Sequence, residues 1–248
     1  MSAPKQPKAL WYTKIGFTHN PFSIKPAIVN DKLIGNSEKL SSVEDFIIKG
    51  TTCIIEGKYG VGKTTFLKKL IDKFAGEKRV VYLACNRIHQ KINLDKLLHG
   101  RYGTIGKFLK LKPKNMILLL DEADHLQEDD FRLINQYRQD GYFKSVVLVA
   151  PNANDIKLPK AYKLRLKDSI FSLSMVSKDD AIELIRHRIG FSDYICDKNI
   201  GLIYEKSQSA RVFLKNCEDA CRTAFENKHK HVTQKDIDHV FNNPFVAY

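Results

Sequence analysis

Thr52-Cys-Ile-Ile-Glu56-Gly57-Lys58-Tyr59-Gly60-Val61-Gly62-Lys63-Thr64-Thr65 is the stretch that decides the fold of this chain. A short apolar, β-branched run enters a glycine-rich turn. The turn leads into Phe66, Leu67, Leu70, Ile71 and Phe74, which recur at the spacing of one helix face. Between strand and helix, Gly57 to Thr65 fits GxxxxGK[ST], with Gly57, Gly62, Lys63 and Thr64 in the fixed places. Glycines there let successive backbone N–H groups curl around an anion, and the helix N-terminus adds positive potential. The residues from Gly57 to Thr65 are therefore expected to cradle the phosphates of a nucleoside triphosphate. Lys63 would reach the β- and γ-phosphates, and the Thr64 hydroxyl would ligate Mg²⁺.

Working outward, the next signal is Met116-Ile-Leu-Leu-Leu-Asp121, an unbroken apolar run of the kind that forms a strand covered on both faces. It ends in two acids, Asp121 and Glu122, 58 residues after Lys63 (121 − 63). Asp121 is expected to hold the metal and its water shell. Glu122 is expected to polarise a water for in-line attack on the γ-phosphate.

Further strands are expected at Arg79–Cys85, Ser145–Ala150 and Ile170–Leu173. Strands alternating with helices predict a parallel five-stranded sheet of the α/β, P-loop NTPase class, with right-handed crossovers. Beyond about Val176 the pattern turns wholly helical. Ser177-Lys-Asp-Asp180 and Thr233-Gln-Lys-Asp236 resemble capping boxes with Asp in the place of Glu, and other helices are expected near 197–206 and 210–227. The expected organisation is a basic arm over 1–14, an α/β nucleotide-binding core over 15–175 and a small helical domain over 176–248.

Composition narrows the classes. The 248 residues carry 41 Lys+Arg against 28 Asp+Glu, a formal net charge of +13, with hydrophobic and charged fractions of 43% and 28% that suit a globular protein. The longest purely aliphatic stretch, Met116–Leu120, is far short of the roughly 18 residues a membrane span needs, and the N-terminus has no apolar signal core. A cytoplasmic protein with no membrane partner is the expectation. Five scattered cysteines without a CxxC pair fit reduced, structural thiols.

Asp121-Glu-Ala-Asp124 is also the DEAD motif of RNA helicases, and Arg186-His-Arg-Ile-Gly190 is similar to their later HRIGR motif. Only 66 residues separate Asp121 from His187 (187 − 121), too few for the second RecA-like domain such an enzyme places between them. The order of elements instead resembles the AAA+ ATPases over about residues 15–241. Phe17-Thr-His-Asn20-Pro21-Phe22 and Leu33-Ile-Gly35-Asn-Ser-Glu38-Lys-Leu40 look like their adenine-pocket region. The resemblance implies ATP as the nucleotide and adds three residues. Asn152, with Asn154 as the alternative, matches sensor 1, where an amide bridges γ-phosphate and water. Arg165 matches the finger that completes a neighbouring subunit's site. Arg211, in Ser207-Gln-Ser-Ala-Arg211, matches sensor 2, although Gln208-Ser209 stands where Gly-Asp is usual.

Within AAA+, the chain is most similar to the initiator and helicase-loader clade, which includes archaeal origin-recognition proteins, DnaA and related transposition ATPases. Val232-Thr-Gln-Lys-Asp236-Ile resembles the last lid helix of the origin-recognition proteins. Those initiators usually carry a C-terminal winged-helix reader, and the expectation here is a chain without one. The resemblance implies an ATP-state homo-oligomer acting in replication initiation, helicase loading or transposition targeting, with a replication or recombination protein as partner. A nucleotide-switched scaffold without direct DNA action is the alternative.

The positive charge is clustered. Residues 87–114 hold Arg87, Lys91, Lys96, Arg101, Lys107, Lys110, Lys112 and Lys114 against Asp95 alone, eight basic residues to one acid and a net of +7. Lys157, Lys160, Lys163, Arg165 and Lys167 form a second group. Basic residues interleaved with Tyr102 and Phe108 suit contact with the backbone of DNA, and Arg101, Lys107, Lys110, Lys112 and Lys114 are the expected contacts.

Overall fold

In the computed structural model, residues 10–24, 33–75, 79–87, 91–99 and 113–242 are described. The first nine residues of the basic arm, together with Arg101, Lys107, Lys110 and Lys112, lie outside them. The chain divides into two compact units. One runs from Asn36 to Ser174, and the other joins residues up to Gly35 with those from Met175 onward.

The first unit is built on five parallel strands: β1 (Thr52–Glu56), β2 (Val80–Ala84), β3 (Met116–Asp121), β4 (Phe143–Ala150) and β5 (Ile170–Ser172), in the order β2-β3-β4-β1-β5. The apolar run of β3 is buried at every position, as a central parallel strand requires. The strands β2 and β5 are the edges, and Tyr82 and Ile170 on them are exposed. Because β4 returns between β3 and β1, the carboxyl ends of the strands bearing Gly57 and Asp121 flank the exit of β4. Open α/β sheets bind ligands outside those ends, where connections diverge to opposite sides.

The α-helices among the described residues of this unit are α1 (Ser37–Lys49), α2 (Lys63–Phe74), α3 (Leu94–His99), α4 (Glu128–Gln139) and α5 (Lys160–Arg165). Phe66, Leu67 and Leu70, the apolar face read from the sequence, are buried on α2. Glu44 on α1 pairs with Lys73 on α2. The start of α4 carries an unusual signature: the buried Asp130 accepts from the Gln127 N–H at 2.9 Å and from the Ile92 N–H at 3.2 Å. One carboxylate thus closes a helix start and holds the backbone leading to α3.

The second unit contains α6 (Lys178–Ile189), α7 (Asp197–Glu205), α8 (Ala210–Glu226) and α9 (Gln234–Asn242). Ile185, Ile200, Ile203, Phe213, Cys217 and Ile237 form its core. The described residues from 15 to Gly35, expected from the sequence in the α/β core, group with these helices. Phe22 is 1% exposed within the helical core and stacks with Trp11 at 6.5 Å between ring centroids. The Arg188 guanidinium donates to the Pro21 and Ser23 carbonyls at 3.2 and 3.1 Å. An aromatic pair that needs an apolar partner, and carbonyls that need a donor, therefore find both on the helices.

Both capping boxes form. At α6 the Ser177 hydroxyl accepts from the Asp180 N–H at 3.1 Å, and Asp180 accepts from the Ser177 N–H at 3.3 Å. At α9 Asp236, 1% exposed, accepts from the Thr233 N–H at 2.8 Å and hydroxyl at 2.7 Å, and its carboxylate lies 2.9 Å from His229 Nδ1. Burial pushes the Asp236 carboxyl up, but the bonds from Thr233, His229 and Asn227 outweigh it and hold the group below its ordinary value of 3.8. A carboxylate lowered by folding stabilises above its unfolded value, and that stability is lost as pH falls through the folded one. Asp236→Asn should therefore cost on the order of 1–2 kcal/mol at neutral pH, and the deficit should shrink below pH 4 in thermal melts. A deficit that persists undiminished into acid would show that the charge is not what matters there.

Candidate nucleotide site

The loop after β1 has the backbone that its glycines permit. Gly60 and Gly62 adopt φ of +79° and +108°, a region that side-chain-bearing residues rarely occupy, and Gly62 caps α2. Gly57 is required for a different reason: a Cβ there would lie 2.8 Å from the Leu173 carbonyl and 2.9 Å from Val61 Cγ1. Glycines with such φ values, ahead of a helix N-terminus, make the kind of turn that favours an anion.

Lys63 is 8% exposed, and its ammonium donates to the Gly57 and Lys58 carbonyls at 2.5 and 3.1 Å. It also lies 5.1 Å from the centroid of the Tyr59 ring, which is itself largely exposed. Burial pulls the Lys63 ammonium below its ordinary value, while Asp121, Asp124 and Glu122 push it back. The ammonium is held on two backbone carbonyls, within the field of three acids, and in that setting can exchange those carbonyls for phosphate oxygens.

The strand-end acids come to the same place through β3. Asp121 is buried, and its Oδ2 accepts from the Thr64 hydroxyl at 3.3 Å and from the Tyr82 hydroxyl at 3.2 Å. Its Oδ1 accepts from the Glu122 N–H at 3.1 Å. That bond accompanies a left-handed backbone at Glu122 (φ +56°), a conformation costly for a residue with a side chain and often found at functional sites. Glu122 Oε2 and Asp124 Oδ1 are buried without a hydrogen-bond partner among the described residues. Hard carboxylate and hydroxyl oxygens around two unsatisfied acceptors suit a small divalent cation and its waters. The residues present therefore fit Mg²⁺, with Thr64 and Asp121 as the pair that would hold it.

Asn152 is exposed just beyond β4, and its side chain accepts from the Asn154 N–H at 2.8 Å. The two candidate amides therefore belong to one turn, in which Asn152 orders the backbone of Asn154. Arg165 is the last residue of α5 and is exposed, as are Lys157, Lys160, Lys163 and Lys167. Arg211 is exposed in the first turn of α8, after Ser209, whose hydroxyl accepts from the Val212 N–H at 3.3 Å. The helicase-like HRIG stretch is structural: Arg186 pairs with Asp197 at 2.6 Å and donates to the Ser192 and Ile195 carbonyls. Tyr82, whose hydroxyl donates to Asp121, gives no sign in the sequence of belonging to the site, because it looks like an ordinary strand aromatic.

The matching family supplies the class. The AAA domain family matches residues 49–177, slightly more than half of the chain, and the chain belongs to that family. It is a P-loop ATPase with a parallel five-stranded α/β core and a helical C-terminal region. No curated protein matches it by sequence. Among solved structures it is similar to Cdc6p from Pyrobaculum aerophilum, at 16% identity with 90% of this chain and 70% of that one covered and a TM-score of 0.69. The Aeropyrum pernix ORC1 protein, solved in complex with DNA, gives 13% identity, 90% and 69% coverage and a TM-score of 0.69. The RuvB Holliday junction branch migration motor of Thermotoga maritima gives 15% identity, 85% and 69% coverage and a TM-score of 0.64. At these identities the likeness is one of fold. No helix among the described residues is long and apolar enough to cross a membrane.

Proposed function

We propose that the chain binds ATP with Mg²⁺ in the Gly57–Thr65 loop, hydrolyses it with Glu122 as the water-polarising base, and works as an oligomer on DNA. The observation that carries the catalytic part is the convergence of Lys63, Thr64 and Asp121 beside two unsatisfied acid oxygens, Glu122 Oε2 and Asp124 Oδ1. When bound, Mg²⁺ would be held by Thr64 and Asp121 and would neutralise negative charge developing on the phosphates. Lys63 contributes a fixed positive charge to the transferred phosphoryl group. The Glu122 N–H donates to the Asp121 carboxylate, which fixes the backbone that aims Glu122, and Glu122 accepts a proton from the attacking water. Asn152 orients that water from the exit of β4. Arg165 adds positive charge from a neighbouring subunit.

The DNA part rests on charge. Lys157, Lys160, Lys163, Arg165 and Lys167 are all exposed with no acid in the interval, and Lys114, the last residue of the 87–114 cluster, is exposed. The structures of ORC1 with DNA and of a branch migration motor, which share this fold, support the same reading. Replication initiation, helicase loading or a related DNA transaction, including transposition targeting, is the class of process that fits.

ATPase rate and oligomeric state, each measured with and without single- and double-stranded DNA, test this directly. Stimulation by DNA supports the reading. ATP-dependent oligomers indifferent to DNA would favour a scaffold that recruits protein partners. A triple Lys107→Ala, Lys110→Ala, Lys112→Ala variant should bind DNA more weakly and reduce the slope of log affinity against log salt by about 3. Unchanged affinity and slope would remove that segment from the interface.

A further inference from the structure

We infer that Glu56 is a positioning residue for ATP hydrolysis, acting by pinning Asn152 at the exit of β4. The inference rests on the reading of Asn152 given above and assigns a role to a residue outside the phosphate-binding motif.

Glu56 closes β1. In the sheet register its neighbours are Ala150 on β4 and Ser172 on β5, the last paired positions on that side of each ladder. Past that point backbone pairing would be expected to fray, yet here Glu56 and Gly57 carry it further. The Gly57 N–H donates to the Pro151 carbonyl at 3.2 Å. Glu56 Oε2 accepts from the Ala153 N–H at 2.9 Å, and Oε1 accepts from the Ser172 hydroxyl at 2.6 Å. The Leu173 N–H donates to the Glu56 carbonyl at 2.7 Å.

Asn152 therefore lies between Pro151, which is tied to Gly57 at the start of the phosphate loop, and Ala153, which is tied to Glu56 at the end of β1. β4 runs between β1 and β3, so whatever leaves its carboxyl end stands between Gly57 and the Asp121–Glu122 pair. The height of Asn152 above the sheet is set by these two bonds, and only one depends on a side chain. A carboxylate suits the task because it accepts two hydrogen bonds at once, one from the turn after β4 and one from β5. Hydrolysis depends on the position of the attacking water to within about 1 Å, whereas nucleotide affinity comes mainly from the loop amides and Lys63. Loss of the Glu56 carboxylate should thus slow turnover and spare binding.

The test is a double-mutant cycle on the full chain, reading ATP affinity with a fluorescent nucleotide and kcat by phosphate release, with a thermal melt for each variant. Glu56→Ala is expected to lower kcat on the order of 10- to 100-fold while ATP affinity stays within about twofold. Glu56→Gln keeps one acceptor oxygen and should fall between the two, which keeps the question answerable if the alanine variant folds poorly. The double variant Glu56→Ala, Asn152→Ala should be no slower than Asn152→Ala alone, because a residue that acts through another adds nothing once that partner is gone. Equal losses in affinity and kcat, losses that multiply in the double variant, or an Asn152→Ala enzyme as fast as the wild type would each overturn the assignment to Glu56. A Lys63→Ala control that still binds and hydrolyses ATP would instead overturn the reading of the site itself, and the role of Glu56 with it.

Discussion

Lys63→Ala should lose nucleotide binding by about 100-fold, the scale of one buried charge-assisted interaction at up to roughly 3 kcal/mol. The size follows from where the ammonium sits. It is 8% exposed, held on the Gly57 and Lys58 carbonyls, and surrounded by the charges of Asp121, Asp124 and Glu122. Removing it leaves three carboxylates beside a pocket meant for phosphate, so repulsion adds to the lost contact. Fold stability should change less than affinity, since α2 keeps Phe66, Leu67 and Leu70 buried. Titration of the variant with Mg²⁺-ATP checks this, and an affinity within threefold of wild type would place the phosphates elsewhere.

Glu122→Gln separates binding from chemistry. The side chain is isosteric, and the backbone bond from its N–H to Asp121 Oδ1 does not depend on the carboxylate. ATP and metal should therefore bind as before, because Lys63, Thr64 and Asp121 are untouched. Turnover should fall by about 10²- to 10⁴-fold, the usual worth of a positioned general base. The strained φ of +56° at this residue argues that its direction matters, since a relaxed backbone would aim the carboxylate elsewhere. If the variant instead loses affinity and rate together, Glu122 holds the metal and does not polarise the water.

The parts of this fold that local chemistry dictates were legible in the residues. Met116–Asp121 reads as a buried strand because it is apolar without interruption, and it is one. Ser177 and Thr233 read as helix starts because an acid follows three residues later, and both boxes form. The glycines and Lys63 of the phosphate loop stand out because their spacing is tied to one geometry. What depends on distant partners was hidden. Phe22 gives no sign in the sequence that it packs among helices some 160 to 220 residues further on. The start of α4 uses Gln127 and Asp130 without a Ser or Thr to announce it. Glu56 matters only because β4 and β5 flank β1, and strand order is decided by long-range pairing that no local pattern records.

The positive charge changes meaning in the same way. A net +13 is a bulk property, but the exposed group on and around α5 sits on the ATPase unit itself, beside the candidate finger Arg165. A surface of that kind would bring DNA and a neighbouring subunit to the same unit that turns over the nucleotide.

The most direct test of the account is a single-turnover measurement with γ-labelled ATP on wild type and Glu122→Gln, following bound nucleotide and released phosphate in the same samples. The account predicts that both proteins bind ATP with similar affinity and that only the wild type releases phosphate within the observation time. Phosphate release by Glu122→Gln at the wild-type rate, or the absence of ATP binding by the wild type, would contradict it.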